Sequence, residues 1–363
     1  MNSQPDGNAV VYCEAAFQST NGKTAHGLVR RTARYRVGAV IDSRCAGRDA
    51  GEILGDGRRG IPVVQDLEEA LAAGRSSGAD ATHFVVGLAP DGGRLDSRGR
   101  ADVLAAVGAG LHVDCGLHDF LSDDPEIAEL AAERGVVIRD VRKPPDRDFL
   151  HFFSGKIEEV TALRVAVLGT DSAVGKRTTA WMIVDALRET GLTCELIGTG
   201  QTAWMQGARF GIILDSLVND FVSGEIEHVV WRAWKEGGVD AAVIEGQGSL
   251  LNPAYPGGFE ILAAGRPHAV VLQHAPARRE YDGFPGYPLH PLERQIQAAE
   301  LISGKPVAAV TVSQEGMNPE ETAEACGRIQ TETGLPACAP LLQGVESVVA
   351  ALRPFLAERA LSR

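Results

Sequence analysis

At 363 residues the chain is long enough for two domains, and its 44% hydrophobic and 23% charged content is that of an ordinary globular protein. A formal net charge of −13 argues against a broad basic face for nucleic acid, though not against a local basic pocket for a phosphorylated ligand. No apolar stretch reaches the ~18 residues that cross a bilayer.

The opening Met1–Asn8 segment is polar, without the basic start and apolar core of a secretory signal, and reads as a frayed tail. The six cysteines are scattered and form no C-x-x-C pair. They read as small buried hydrophobes of a cytoplasmic chain.

Apolar runs then alternate with helical patterns as far as residue 140. The runs are Ala9–Cys13, Gly38–Asp42, Ile61–Val64, Thr82–Gly87, Leu111–Cys115 and Val136–Asp140. Between them, helical spacing covers Asp66–Ala73, with an aspartate N-cap, then Asp102–Ala109 and Pro125–Glu133. Such alternation predicts a parallel, doubly wound sheet. No G-x-G-x-x-G follows the first run. A polar turn, Asn21–Gly27, stands there instead, and Asp42 ends the second run where a ribose-binding acid or a simple turn residue would sit. Arg142 and Lys143 follow the last run and are candidates for a carboxylate or phosphate, or plain linker charges.

Pro144 and Pro145 break the pattern, which places the domain boundary between about 143 and 162. The expected domains are therefore 1–150 and 151–363. The second has apolar runs at Leu163–Leu168, Cys194–Gly198, Ala241–Glu245, Ala269–Gln273 and Val307–Val312.

The stretch after Leu168 carries the strongest chemical signal. Gly169, Thr170, Asp171, Ser172, Ala173, Val174, Gly175, Lys176, Arg177, Thr178 and Thr179 join a buried strand to a helix. Backbone N–H groups, a helix N-terminus and a lysine in this order wrap a phosphate. The spacing is one residue longer than G-x4-G-K-[ST], and Arg177 intervenes before the hydroxyls. Glu245 ends a strand before Gly-Gln-Gly, where a carboxylate beside a phosphate loop is suited to Mg²⁺, with Thr178 as a second ligand. Asp171 is either a ligand-orienting acid or an Asx turn. Gln201, Asp215 and Asp220 are candidates for a polar ligand, the aspartates equally for loop or cap roles. His274 ends another strand, and His290 closes an aromatic, Pro- and Gly-rich stretch from Tyr281 that reads as the wall of a site. Both are general-base candidates.

The loop Gly169–Lys176 resembles that of dethiobiotin synthetase, including its Thr-Asp pair, and Glu245-Gly-Gln-Gly resembles that enzyme's metal motif. Arg177 departs from it, since that family has threonine there. A wider resemblance is to the DgcN-type family, formerly a domain of unknown function. It rests on Gly22–Leu28, Gly116–Asp123, Asp140–Pro145, Gly169–Thr179, Asp215–Phe221 and Glu245–Leu250. It implies an α/β protein with an N-terminal Rossmann-like parallel sheet and a C-terminal P-loop NTPase-like parallel sheet. It also implies N-acetylation of D-glutamate from acetyl-CoA, in D-amino-acid catabolism.

The expected function is therefore acetyl transfer to D-glutamate or a related amino acid. Residues 169–179 would hold acetyl-CoA, and Lys176, Glu245 and His274 would serve catalysis. Arg142, Lys143, Gln201, Asp215 and Asp220 would meet the substrate. The alternative is a ligase or kinase using ATP with Mg²⁺ held by Thr178 and Glu245. A nucleotide-switched regulatory protein is a third class. The expected partners are a small-molecule amino acid and further copies of the chain in a homo-oligomer, with no nucleic acid and no membrane.

Overall fold

The structure is a computed structural model and describes residues 4–360. The chain divides into two compact units: Met1–Pro144 with Gln201–Gly207, and Pro145–Gly200 with Ala208–Arg363.

The first unit holds strands β1 (Gly7–Tyr12), β2 (Tyr35–Ile41), β3 (Val63–Val64), β4 (His83–Val86), β5 (His112–Cys115) and β6 (Ile138–Asp140). They pair in the order β3-β2-β1-β4-β5-β6, every pair parallel, which is the Rossmann order. Successive residues of β1 alternate between two cores. Val10 and Tyr12 pack with Phe84 and Ile127, whereas Ala9 and Val11 pack with Phe17, Leu28 and Val85. The helix Leu67–Ser77 starts on the expected cap, with Asp66 accepting from Glu69 N at 3.0 Å.

Two expectations change here. Residues 23–27 are not a turn but the start of the helix Lys23–Arg30, whose buried Thr24, Ala25, Leu28 and Val29 carry helical spacing. The N-terminal tail does not fray as far as Asn8, because Gly7 and Asn8 belong to β1. Asp6 accepts from Arg34 (3.2 Å) and Arg139 (2.9 Å), which hold it against the sheet. Residues 1–3 lie outside the described residues.

Gln201–Gly207 is built into this unit. Met205 is fully buried in the core with Leu28 and Val85. Ala33 N donates to Gln206 O at 2.9 Å, and Gln206 Nε2 donates to Gly27 O at 2.8 Å. The guanidinium of Arg34 stacks 3.8 Å over the Trp204 ring.

The second unit holds β7 (Leu163–Gly169), β8 (Cys194–Gly198), β9 (Phe210–Gly211), β10 (Ala241–Glu245), β11 (Ala269–His274), β12 (Val307–Val312) and β13 (Ala337–Cys338). Their order is β13-β12-β11-β7-β10-β8-β9, again with every pair parallel. Every residue of β7 is buried, as a central strand covered on both faces requires. The two-residue edge strands β9 and β13 are too short to show in the sequence pattern.

The segment after Pro145 is bound down by two acids of the helix Asn219–Gly237. Glu225 accepts from His151 N (2.7 Å), and Glu227 accepts from Ser154 N (2.7 Å) and Ser154 Oγ (2.8 Å). All six cysteines are free and buried. Among the described residues no helix is long and apolar enough to cross a membrane.

Candidate functional site

The register of the second sheet assembles the site. Glu245 lies opposite Val167, and Gln273 lies opposite Gly169. The carboxyl ends of β10, β7 and β11 therefore bring Glu245, the loop after Gly169 and His274 to one edge, where open α/β sheets bind ligands.

The loop itself has the backbone of an anion cradle. Ala173 and Gly175 take positive φ, 54° and 107°, and left-handed residues of this kind turn consecutive N–H groups to one side. Gly175 leads into the helix Lys176–Glu189, whose N-terminal dipole adds positive potential. A Cβ on Gly169 would stand 2.8 Å from Lys176 Cδ and 2.9 Å from Val174 Cγ2, so a larger residue there would push the lysine out of its place. Lys176 is buried and folds back over the loop, donating to Asp171 O at 2.7 Å and Gly248 O at 2.8 Å. Gly248 sits at φ 49°, where a Cβ would meet Tyr255 O at 2.1 Å, so the carbonyl that receives the lysine depends on glycine.

Asp171 is fully buried and accepts four hydrogen bonds. Oδ1 takes Ser172 N (2.7 Å) and Asn252 Nδ2 (3.0 Å), and Oδ2 takes Arg278 Nη1 (2.7 Å) and Asp282 N (2.8 Å). It therefore closes its own turn and also ties the phosphate loop to two others. Arg278 donates to Ser172 O and Glu315 as well.

The hydroxyls divide their roles. Thr170 Oγ1 is 3.0 Å from His274 Nδ1, and Thr179 Oγ1 donates to Gln273 Oε1 at 2.5 Å. Thr178 is half-buried. Burial pushes the His274 imidazole down to about 4, helped by the charge of Arg328. It is neutral at pH 7 and has little affinity for a proton.

Glu245 is buried at 4% exposure. Its Oε2 accepts from Thr199 N at 3.0 Å, and its Oε1 stands 4.0 Å from Arg177 Nη1. Burial raises its pKa, and Arg177 and the Thr199 N–H pull it back. As they stand, Thr178 and Glu245 are a poor fit for Mg²⁺, because a guanidinium already faces the carboxylate a dication would need. Among the described residues no group of three or more His, Cys, Asp or Glu side chains is placed to hold a metal.

The same two-part pattern appears in known proteins. Residues 151–349 match the family model described as domain of unknown function DUF1611_C, a P-loop domain, and residues 43–144 match its partner DUF1611_N, a Rossmann-like domain. The chain belongs to the DUF1611 family. A crystal structure of a DUF1611 family protein from Anabaena variabilis ATCC 29413 superposes with a TM-score of 0.87 at 29% identity, covering 96% of this chain and 99% of that one. A Pseudoalteromonas protein named D-glutamate N-acetyltransferase is 32% identical over 74% of this chain and 80% of its own length. A protein of the same name from Tritonibacter scottomollicae is 29% identical over 79% and 84%.

The remaining candidates of this DUF1611 chain lie elsewhere. In the first unit, Arg142 Nε donates to Gly116 O at 2.6 Å, and Lys143 Nζ to Asp123 Oδ1 at 2.6 Å and Ser122 Oγ at 3.0 Å. Gln201 is buried in that unit, against Gly116. Asp42 spends its carboxylate on the N–H groups of Phe17 (2.8 Å) and Arg44 (2.9 Å), the turn role rather than a ribose contact. In the second unit, Asp215 and Asp220 are exposed. Leu214 N donates to Thr199 O at 3.1 Å, so Asp215 is the chain neighbour of a residue bonded to Thr199, whose N–H holds the Glu245 carboxylate.

Sequence reasoning missed Asn252 and Arg278, the anchors of Asp171. Residues flanking those anchors line a pocket of about 350 Å³, with Leu251, Pro253, Tyr281, Tyr287, Leu289 and His290 in its wall. His290 Nδ1 is 2.8 Å from the Tyr281 hydroxyl. The aromatic run Tyr281–His290 signalled a wall, but no local pattern signalled the ties to Asp171.

Proposed function

We propose that this protein is an N-acetyltransferase that moves an acetyl group from acetyl-CoA to the amine of D-glutamate or a related amino acid. The observation that carries the reading is the likeness, over three quarters of the chain, to two proteins of that name, each covered over at least 80% of its own length.

In this reading Lys176 and the N–H groups of residues 169–179 hold the phosphates of acetyl-CoA, as charge-assisted donors do. The pantetheine arm separates those phosphates from the thioester. The mainly apolar pocket beside Asn252 and Asp282 is suited to that arm. Only the free amine attacks a thioester, so a base must take the ammonium proton. His290, on the pocket wall and oriented by the Tyr281 hydroxyl, is assigned that role. His274 is too weakly basic for it, and Glu245 faces Arg177.

The test is an assay of the purified protein with acetyl-CoA and D- or L-glutamate, following free thiol and N-acetylglutamate by mass spectrometry. Thiol release that needs the amino acid supports the reading. ADP release from ATP and Mg²⁺, with no thiol from acetyl-CoA, sinks it and favours the ligase or kinase.

A further inference from the structure

We propose that Arg177 takes the place of a divalent cation in this phosphate loop, so that the loop binds a pyrophosphate diester without metal. The inference deepens the acetyl-CoA reading, since coenzyme A carries such a diester.

The position is the first argument. In phosphate loops of this kind the residue after the lysine supplies the hydroxyl that holds Mg²⁺, and a nearby carboxylate completes the site. Here that residue is Arg177. Its guanidinium reaches the carboxylate side of the loop, 4.0 Å from Glu245 Oε1. The second hydroxyl, on Thr179, is spent on Gln273. One fixed cation thus stands where the motif expects a bound one.

Charge is the second argument. Lys176 and Arg177 contribute two positive charges and Glu245 one negative, and the helix N-terminus adds about half a positive charge. A pyrophosphate diester carries two negative charges, which this set meets closely. A triphosphate carries about twice as many, and so needs a dication. The geometry of the group is the third. A planar guanidinium pairs with two phosphate oxygens at once and stays charged at any working pH. The Arg177 side chain keeps 20% of its surface exposed, so a ligand can meet it. Glu245, buried and fixed by Thr199 N, faces it at 4.0 Å.

Binding of acetyl-CoA, ADP-ribose and NAD, each a pyrophosphate diester, to the full chain tests this by calorimetry, in EDTA and in millimolar Mg²⁺. The wild type is expected to bind at least one of the three equally well, within about twofold, in either buffer. Arg177→Thr, which restores the usual hydroxyl, is expected to lose about tenfold or more in EDTA and to recover part of it with Mg²⁺. Arg177→Gln, which keeps a shorter polar side chain without the charge, is expected to lose binding in both buffers. Thermal melts without ligand show which variants fold, and either one suffices. Metal-dependent binding by the wild type overturns the inference, as does a folded variant that binds like the wild type in EDTA. So does a wild type that binds none of the three probes. Metal-free binding of ADP-ribose or NAD alone, lost in the variant, sustains the inference while removing the acetyl-CoA reading. Mg²⁺-dependent binding of acetyl-CoA does the reverse.

Discussion

Arg278 Nη1 donates to Asp171 Oδ2 at 2.7 Å, and this pair joins the phosphate loop to the wall of the neighbouring pocket. The Asp171 side chain is 0% exposed and that of Arg278 8%. Removing Asp171 leaves Arg278 with Glu315 as its carboxylate partner but strips the acceptor from Ser172 N, Asn252 Nδ2 and Asp282 N, at about 1–3 kcal/mol for each buried donor left unmet. Asp171→Ala should therefore lower the unfolding free energy in urea by about 3 kcal/mol or more. Amide exchange should quicken in residues 169–175 and 278–290 together, because Asp171 also holds Asp282 N. A variant as stable as wild type would show that the pair is not what fixes the two loops.

Lys176 should affect both binding and folding. Its ammonium bonds two loop carbonyls, Asp171 O and Gly248 O. Lys176→Ala leaves those acceptors short of a donor, at about 1–3 kcal/mol. Binding should also lose a charge-assisted bond to ligand phosphate, about 10- to 100-fold in affinity. Titration calorimetry with the best-bound phosphate ligand checks this. An affinity unchanged in a folded variant would remove Lys176 from the site.

The parallel sheets were legible because a central parallel strand is an unbroken apolar run. Leu163–Gly169 and Ala241–Glu245 read that way, and their carboxyl ends carry the glycines and the acid. The pairing of those ends also followed, since parallel strands place all their carboxyl ends on one edge. What distance in sequence concealed is equally specific. Asn252 and Arg278 reach Asp171 from 81 and 107 residues away, and neither sits in a local pattern that marks an anchor. Gly198–Thr202 carries on from the end of β8 with no sign of a division in the sequence. Its first residues do stay with Glu245, through Thr199, but Gln201 onward joins the first unit. The reason lies in residues far upstream, Gly27, Ala33 and Arg34, that hold Trp204 and Gln206.

Trp204 should accordingly stabilise the first unit. It packs against the cluster containing Leu28, Val85 and Met205, and Arg34 covers its ring at 3.8 Å. A fully buried tryptophan truncated to alanine costs about 3–5 kcal/mol, and this half-buried one about 2–3 kcal/mol once the cation–π contact is included. Trp204→Ala should lower the stability of the full chain in denaturant by that amount, and Trp204→Phe by less than half of it. Equal losses in both variants would mean that the ring contact with Arg34 contributes nothing and that shape alone matters.

His274 makes stability depend on pH in a defined direction. In the unfolded chain its imidazole takes a proton near 6.5, whereas in the fold burial holds it down to about 4. Between those values the unfolded chain binds more protons, so stability rises with pH there. The contribution is fully present above about 6.5 and is lost progressively as the pH falls to about 4, a loss of up to about 3 kcal/mol. Many carboxylates also titrate in acid, so the difference from His274→Asn isolates the effect. That variant keeps an acceptor for the Thr170 hydroxyl, which stands 3.0 Å from the imidazole. Urea unfolding of both proteins at pH 7.5, 6, 5 and 4.5 should show the wild type losing stability faster on acidification. Parallel curves would mean that the imidazole titrates as freely in the fold as in the unfolded chain, and that its end of β11 is open to water.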